Sequence, residues 1–126
     1  MTEPYDARYL SGIAHFNRRE YFEAHEVWEE LWHDSAGPEA GFYKGLIQAA
    51  VCLYHLGRGN LAGARRLFAS GRAYMLAAGP RFLGLDVVEF WQQMEAFFAA
   101  HFGGAAPAAP QLRPDPHPGP APGGVP

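Results

Sequence analysis

Phe16-Asn-Arg-Arg-Glu-Tyr-Phe-Glu-Ala-His-Glu-Val-Trp-Glu-Glu-Leu-Trp-His33 is the stretch whose periodicity decides the fold. A turn of about 100° per residue groups Ala24, Val27, Trp28 and Leu31 into one apolar stripe. A second side carries His25, Glu26, Glu29 and His33 beside Phe22 and Trp32. A third, with Glu23, Glu30 and Asp34, should face water. A helix with one such stripe buries it against other helices. The mixed side is where function is expected, because ionisable groups beside aromatic rings are costly unless paired, ligated or used.

The neighbouring sequence continues in the helical period. The first helix is expected over about residues 5–18, with Pro4 suited to its first turn, and the second over 20–34, stopped near Gly37-Pro38. The third is expected over 39–56, up to Gly57-Arg58-Gly59. The fourth starts from Asn60 as N-cap and runs to about Ala78, before Gly79-Pro80. Residues 81–85 read as a connector. Asp86 and Glu89 have capping-box spacing and open a last helix that ends near Phe102. No alternating run or Asn-Gly signal predicts a hairpin. Gly41, Gly45, Ala49 and Cys52 on the third helix, and Gly63, Ala64 and Gly71 on the fourth, predict flat sides where helices approach closely.

These segments make one all-α bundle of about five helices over residues 1–102. From Gly103-Gly104 onward the chain is proline, alanine and glycine with eight prolines, so 103–126 reads as a disordered tail. Apolar residues make up 48% and aromatic residues 14%, enough for a core of large side chains. The net charge of −3 gives no general attraction to nucleic acid or to anionic membranes. Lys44, Gln48, His55 and Arg58 interrupt the longest apolar run, so no membrane span is expected. The first residues lack a basic segment followed by an apolar one, so no signal peptide is expected and a cytoplasmic protein is the default. The lone Cys52, in an apolar helical run, reads as a small buried hydrophobe.

On the second helix, His25–Glu29 and Glu29–His33 both stand at i, i+4, a spacing at which imidazole and carboxylate can share a divalent metal ion. The set is incomplete. Glu29 occupies the second histidine position of a His-Glu-x-x-His motif, and Glu30–His33 lacks the second copy that a di-iron bundle needs. His25 and Glu29 therefore stand as metal-ligand candidates against a structural reading, a buried ion pair that orients the helix. On the third helix, Gln48 is a polar residue in an apolar run and must find partners if buried, with His25 or Glu29 expected to serve. His55 shares its face or else meets the last helical carbonyls. Arg58, Arg65, Arg66 and Arg72 form a basic strip, read as a solvated face or as partners for the six acids between Glu20 and Asp34, ahead of a phosphate or RNA contact strip that the net acidity disfavours.

Phe16-Asn17, Glu20-Tyr21-Phe22, His25-Glu26, Glu29 and Trp32 form one part of a wider pattern. Gly45-Leu46-Ile47-Gln48-Ala49, His55, Gly59-Asn60 and Gly63-Ala64 complete it. Together they resemble domain-of-unknown-function family 309 over roughly residues 9–78. The resemblance implies a small, all-helical prokaryotic protein and carries over no activity.

The first expectation is a binding module. Its polar pocket between the second and third helices would be lined by Phe22, His25, Glu26, Glu29, Trp32, Gln48 and His55 and would hold a small ligand or a divalent metal ion. The second is a metal-assisted hydrolase with Glu26 or Glu29 as general base beside His25. The third is a structural or self-associating protein. Phe90, Trp91, Phe97 and Phe98 on the last helix would either face a second copy or close the monomer core.

Overall fold

The computed structural model describes residues 4–103 and 108–116 and shows an all-α bundle of five helices. These are α1 (Ala7–Asn17), α2 (Tyr21–His33), α3 (Gly37–Gly57), α4 (Leu61–Ala77) and α5 (Val87–Phe102). Between α4 and α5 lies a short antiparallel hairpin, β1 (Arg81–Phe82) and β2 (Leu85–Asp86), with Arg81 opposite Asp86 and Phe82 opposite Leu85. Helices α1 to α4 pack in chain order, each against the next. Tyr9, Phe16, Trp28, Phe42, Leu46, Leu56, Met75, Phe90 and Met94 make the centre of the core.

The helix starts follow local chemistry. Asp6 accepts from the Arg8 amide at 2.8 Å, so α1 begins at Ala7 and leaves Pro4 and Tyr5 outside it. The Arg8 guanidinium holds the Asp6 carboxyl below its ordinary range. Asn60 caps α4 through the Gly63 amide at 3.0 Å, and Asp86 caps α5 through the Glu89 amide at 3.0 Å, as their positions predicted. Gly37-Pro38, read as the stop after α2, instead opens α3. Proline fits a first helical turn, where no amide donor is needed. Cys52 is buried as expected, its thiol donating to the Ala64 carbonyl at 3.2 Å, and burial pushes it up to about 12. No described helix is long and apolar enough to cross a membrane.

The expected flat side of α3 needs correcting. A β-carbon at Gly45 would meet the Gly71 carbonyl at 2.9 Å and the Met75 amide at 3.0 Å, so α3 and α4 do approach closely there. At Gly41 nothing lies within 4 Å.

The connector expected over 81–85 is the hairpin. Its turn places Leu83 at φ 46 and Gly84 at φ 78, a pair of left-handed residues as in a type I′ turn. Leucine is a poor left-handed residue. Contacts from far along the chain hold it: the Tyr9 hydroxyl donates to the Leu83 carbonyl at 2.8 Å, and the Asp115 amide donates to the Gly84 carbonyl at 2.9 Å.

The disordered tail expected over 103–126 is overturned for the part that is described. Residues 110–115 form an extended strap across α1, α5 and the hairpin, while 104–107 and 117–126 lie outside the described residues. Asn17 grips Leu112 from both sides. Its amide nitrogen donates to the Leu112 carbonyl at 2.9 Å, and its amide oxygen accepts the Leu112 N–H at 2.7 Å. The Gln93 side chain accepts the Gln111 N–H at 2.9 Å, and the Tyr5 hydroxyl donates to the Asp115 carbonyl at 2.7 Å. Leu112 itself is 1% exposed. A strap whose polar backbone is satisfied by side-chain amides need not join a sheet to stay folded. Asn17→Ala removes both grips, and the expected loss is about 1–2 kcal/mol. Amide hydrogen exchange should accelerate at Leu112 and Asp115 while Trp28 and Leu46 stay protected. Unchanged exchange at Leu112 would show that its side chain alone holds the strap.

Candidate functional site

Two shallow hollows lie end to end where α2 crosses α3. One, of about 220 Å³, is lined by Tyr21, Phe22 and His25 of α2 with Val51, Tyr54 and His55 of α3. The other, also about 220 Å³, is lined by Glu29 and Trp32 of α2 with Lys44, Ile47 and Gln48 of α3. The two helices pair residue 22 with 54 at one end and 32 with 44 at the other, the register of antiparallel neighbours. Helical rise puts about 15 Å between Phe22 and Trp32, and the two hollows adjoin where His25 of one meets Glu29 of the other, along one line, the α2–α3 groove.

His25 and Glu29 form the ridge between them. His25 Nε2 lies 2.9 Å from Glu29 Oε2, and His25 Nδ1 lies 2.7 Å from the Phe22 carbonyl. Both ring nitrogens thus face oxygen acceptors, the Glu29 carboxylate and the Phe22 carbonyl. The expected pairing is therefore present, but it is not buried, since the Glu29 side chain is 46% exposed. The Phe22 ring stands 5.0 Å from His25 and 5.8 Å from Tyr54 and is 48% exposed, an open apolar wall. At the other end, the Lys44 ammonium lies 5.7 Å from the Trp32 ring centre and 5.1 Å from that of Tyr74. Both rings attract it by their electron-rich faces, and no carboxylate pairs with it among the described residues. Burial holds the Tyr21 phenol above its ordinary range, and its hydroxyl finds no partner among the described residues.

Six of the seven residues expected in this pocket therefore meet along the groove: Phe22, His25, Glu29, Trp32, Gln48 and His55. Glu26 does not. It is exposed, lines neither hollow, and makes no hydrogen bond or ion pair among the described residues. On the flank of the ridge away from the groove, it has no setting as a general base. Gln48 lines the groove, but its partner is not His25 or Glu29. The Ser70 hydroxyl of α4 donates to Gln48 Oε1 at 2.6 Å, because the close approach at Gly45 and Gly71 brings α4 alongside. His55 contacts the cap of α4, its Nδ1 3.4 Å from the Asn60 amide nitrogen.

The metal set is as incomplete in space as in sequence. No group of three or more His, Cys, Asp or Glu side chains is disposed to hold an ion among the described residues, and both His25 nitrogens are already engaged. Sequence reasoning picked out Lys44 as an interruption of the apolar run but missed its aromatic clasp, because Tyr74 comes from another helix. The basic strip makes no ion pair among the described residues. Arg58 instead lies 5.4 Å over Tyr54 and Arg65 lies 5.0 Å over Phe102. On α5, Phe90 and Trp91 are buried and Phe97 and Phe98 pack against the core, so these rings close the monomer.

Residues 9–67 match the family described as Domain of unknown function (DUF309). Over 98 residues the chain is 36% identical to a protein of Bacillus subtilis (strain 168) described as the uncharacterized protein YpuF. That match takes in 75% of this chain and 56% of the relative, so the chain spans little more than half the relative's length. The matched segment contains every residue that lines the two hollows.

Proposed function

We propose, on the premise that residues 9–67 make this chain a member of the DUF309 family, that it is a binding module whose α2–α3 groove takes a small aromatic ligand carrying one polar group. The observation that carries this reading is the pair of adjoining hollows with mostly apolar walls, divided by the His25–Glu29 ridge and ending at Lys44. Together they fall in the lower part of the range of volumes typical of small-molecule sites. Phe22 and Tyr54 supply ring faces, and His25, Glu29 and Lys44 offer fixed polar positions. Of the two acids considered as general base, only Glu29 lines the groove, and it is paired with His25. A metal centre would need ligands beyond His25 and Glu29.

The test uses indole and 3-phenylpropionate as probes of the isotope-labelled full chain. Amide shifts are expected to cluster on residues 21–32 and 44–55, and Phe22→Ala should weaken them about tenfold, the loss of one large apolar contact. If neither probe moves these amides, the groove is not a binding site.

A structural reading of the ridge makes a different prediction. His25→Ala removes an i, i+4 pair whose acid is half exposed, so the expected stability loss is below about 1 kcal/mol. Urea unfolding measures it. A loss above about 2 kcal/mol would make the pair a structural device.

A further inference from the structure

We propose that a third hollow, between the start of α1 and the start of α3, binds a small alkylammonium ion. It has a volume of about 350 Å³ and shares no lining residue with the α2–α3 groove. Tyr5, Tyr9 and Tyr43 form its aromatic wall. Ring centres lie 5.6 Å apart for Tyr5 and Tyr9, and 6.0 Å apart for Tyr9 and Tyr43.

The decisive residue is Tyr43. It is 4% exposed and lines the hollow. The hydroxyls of Tyr5 and Tyr9 donate to the carbonyls of Asp115 and Leu83, but that of Tyr43 pairs with no described residue. The Tyr43 oxygen keeps access to the hollow that its side chain lines, so it is free to bond a ligand that enters there.

The sign of the ligand's charge follows from the rim. Arg8 lies 2.7 Å from Asp34 and 3.2 Å from Asp6, so its single charge is shared between two acids. Glu39, one turn before Tyr43 on the same face of α3, pairs with no cation among the described residues. The lining thus carries three carboxylates against one guanidinium. The Tyr43 phenol records the same field. It is pushed up to about 12, chiefly by burial and then by Glu39 and Asp6, with Arg8 opposing. An anion would be repelled. A primary ammonium could approach Glu39 and the Tyr43 oxygen while its methylenes lie against the tyrosine rings, whose faces also favour a cation.

The probe is 1,4-diaminobutane, with acetate as the anionic control, titrated into the labelled full chain at neutral pH. The diamine is expected to shift the amides of residues 34–43, and acetate to leave them in place. Tyr43→Phe should weaken diamine binding roughly tenfold, the loss of one hydrogen bond to a charged group, with no fall in melting temperature. Glu39→Gln should weaken it similarly. The proposal is overturned if the diamine leaves these amides unmoved, if acetate shifts them equally, or if Tyr43→Phe binds as the wild type does.

Discussion

Gly45→Val should lower unfolding stability by about 3 kcal/mol, while Gly41→Ala, one turn earlier on the same helix, should raise it by up to about 1 kcal/mol. The contrast follows from what each new side chain meets. At Gly45 it meets the Gly71 carbonyl and the Met75 amide, which are backbone atoms and cannot rotate away. α4 must move off α3, and Met75 then loses its fit to Trp91, whose indole nitrogen lies 3.2 Å from the Met75 sulfur. At Gly41 the space is open, and alanine only relieves the entropic cost of glycine within a helix. Urea unfolding of both variants measures the difference. Equal effects at the two positions would mean that the α3–α4 contact is loose enough to accept a side chain.

Trp28→Ala is expected to cost about 3–5 kcal/mol, a large share of the roughly 5–15 kcal/mol that holds a typical domain folded. Trp28 is fully buried, with its indole donating to the Tyr9 carbonyl at 3.3 Å. Its ring centre is 6.0 Å from that of Phe16, and it lies over Gly12, where any β-carbon would strike the indole. Removing it empties the joint between α1 and α2 and leaves the Tyr9 carbonyl without that donor. The melting temperature should fall by about 12 °C or more. Trp32→Ala, four residues on and half-buried in the groove, should cost far less stability and instead weaken binding of indole. Similar losses of stability from both variants would contradict this division of roles within α2.

Much of the fold was legible because its determinants are local. The stripe of Ala24, Trp28 and Leu31 faces the core as its period predicted, and Asn60 and Asp86 cap their helices through amides three residues on. The groove was also legible in outline, since one helix and its antiparallel neighbour supply it. The features that escaped depend on distant partners. Ser70 takes Gln48, Tyr74 helps hold Lys44, and Tyr9 steadies a leucine in a left-handed turn. Composition misled most at the strap. Proline, alanine and glycine predict a chain that cannot build a core, yet one leucine and a few backbone groups suffice when an existing surface receives them. Glu26 failed for a smaller reason. It lies close to the ridge in helical angle, but the groove opens on the other flank, toward His25.

Asn17 and its partner Leu112 are 95 positions apart. At roughly 5–20 residues per second, ribosomal synthesis would separate their appearance by roughly 5 to 20 s. Through that interval the α1 side of the seat for Leu112 stays uncovered on the nascent chain, and α5 completes the seat only shortly before Leu112 itself appears. The four helices that pack in chain order can assemble as they emerge, while the first helix waits for nearly the last described residues to close over it. Such a molecule completes itself like a clasp, and the exposed seat is where a chaperone, or a neighbouring nascent copy offering its own strap, would find it unguarded.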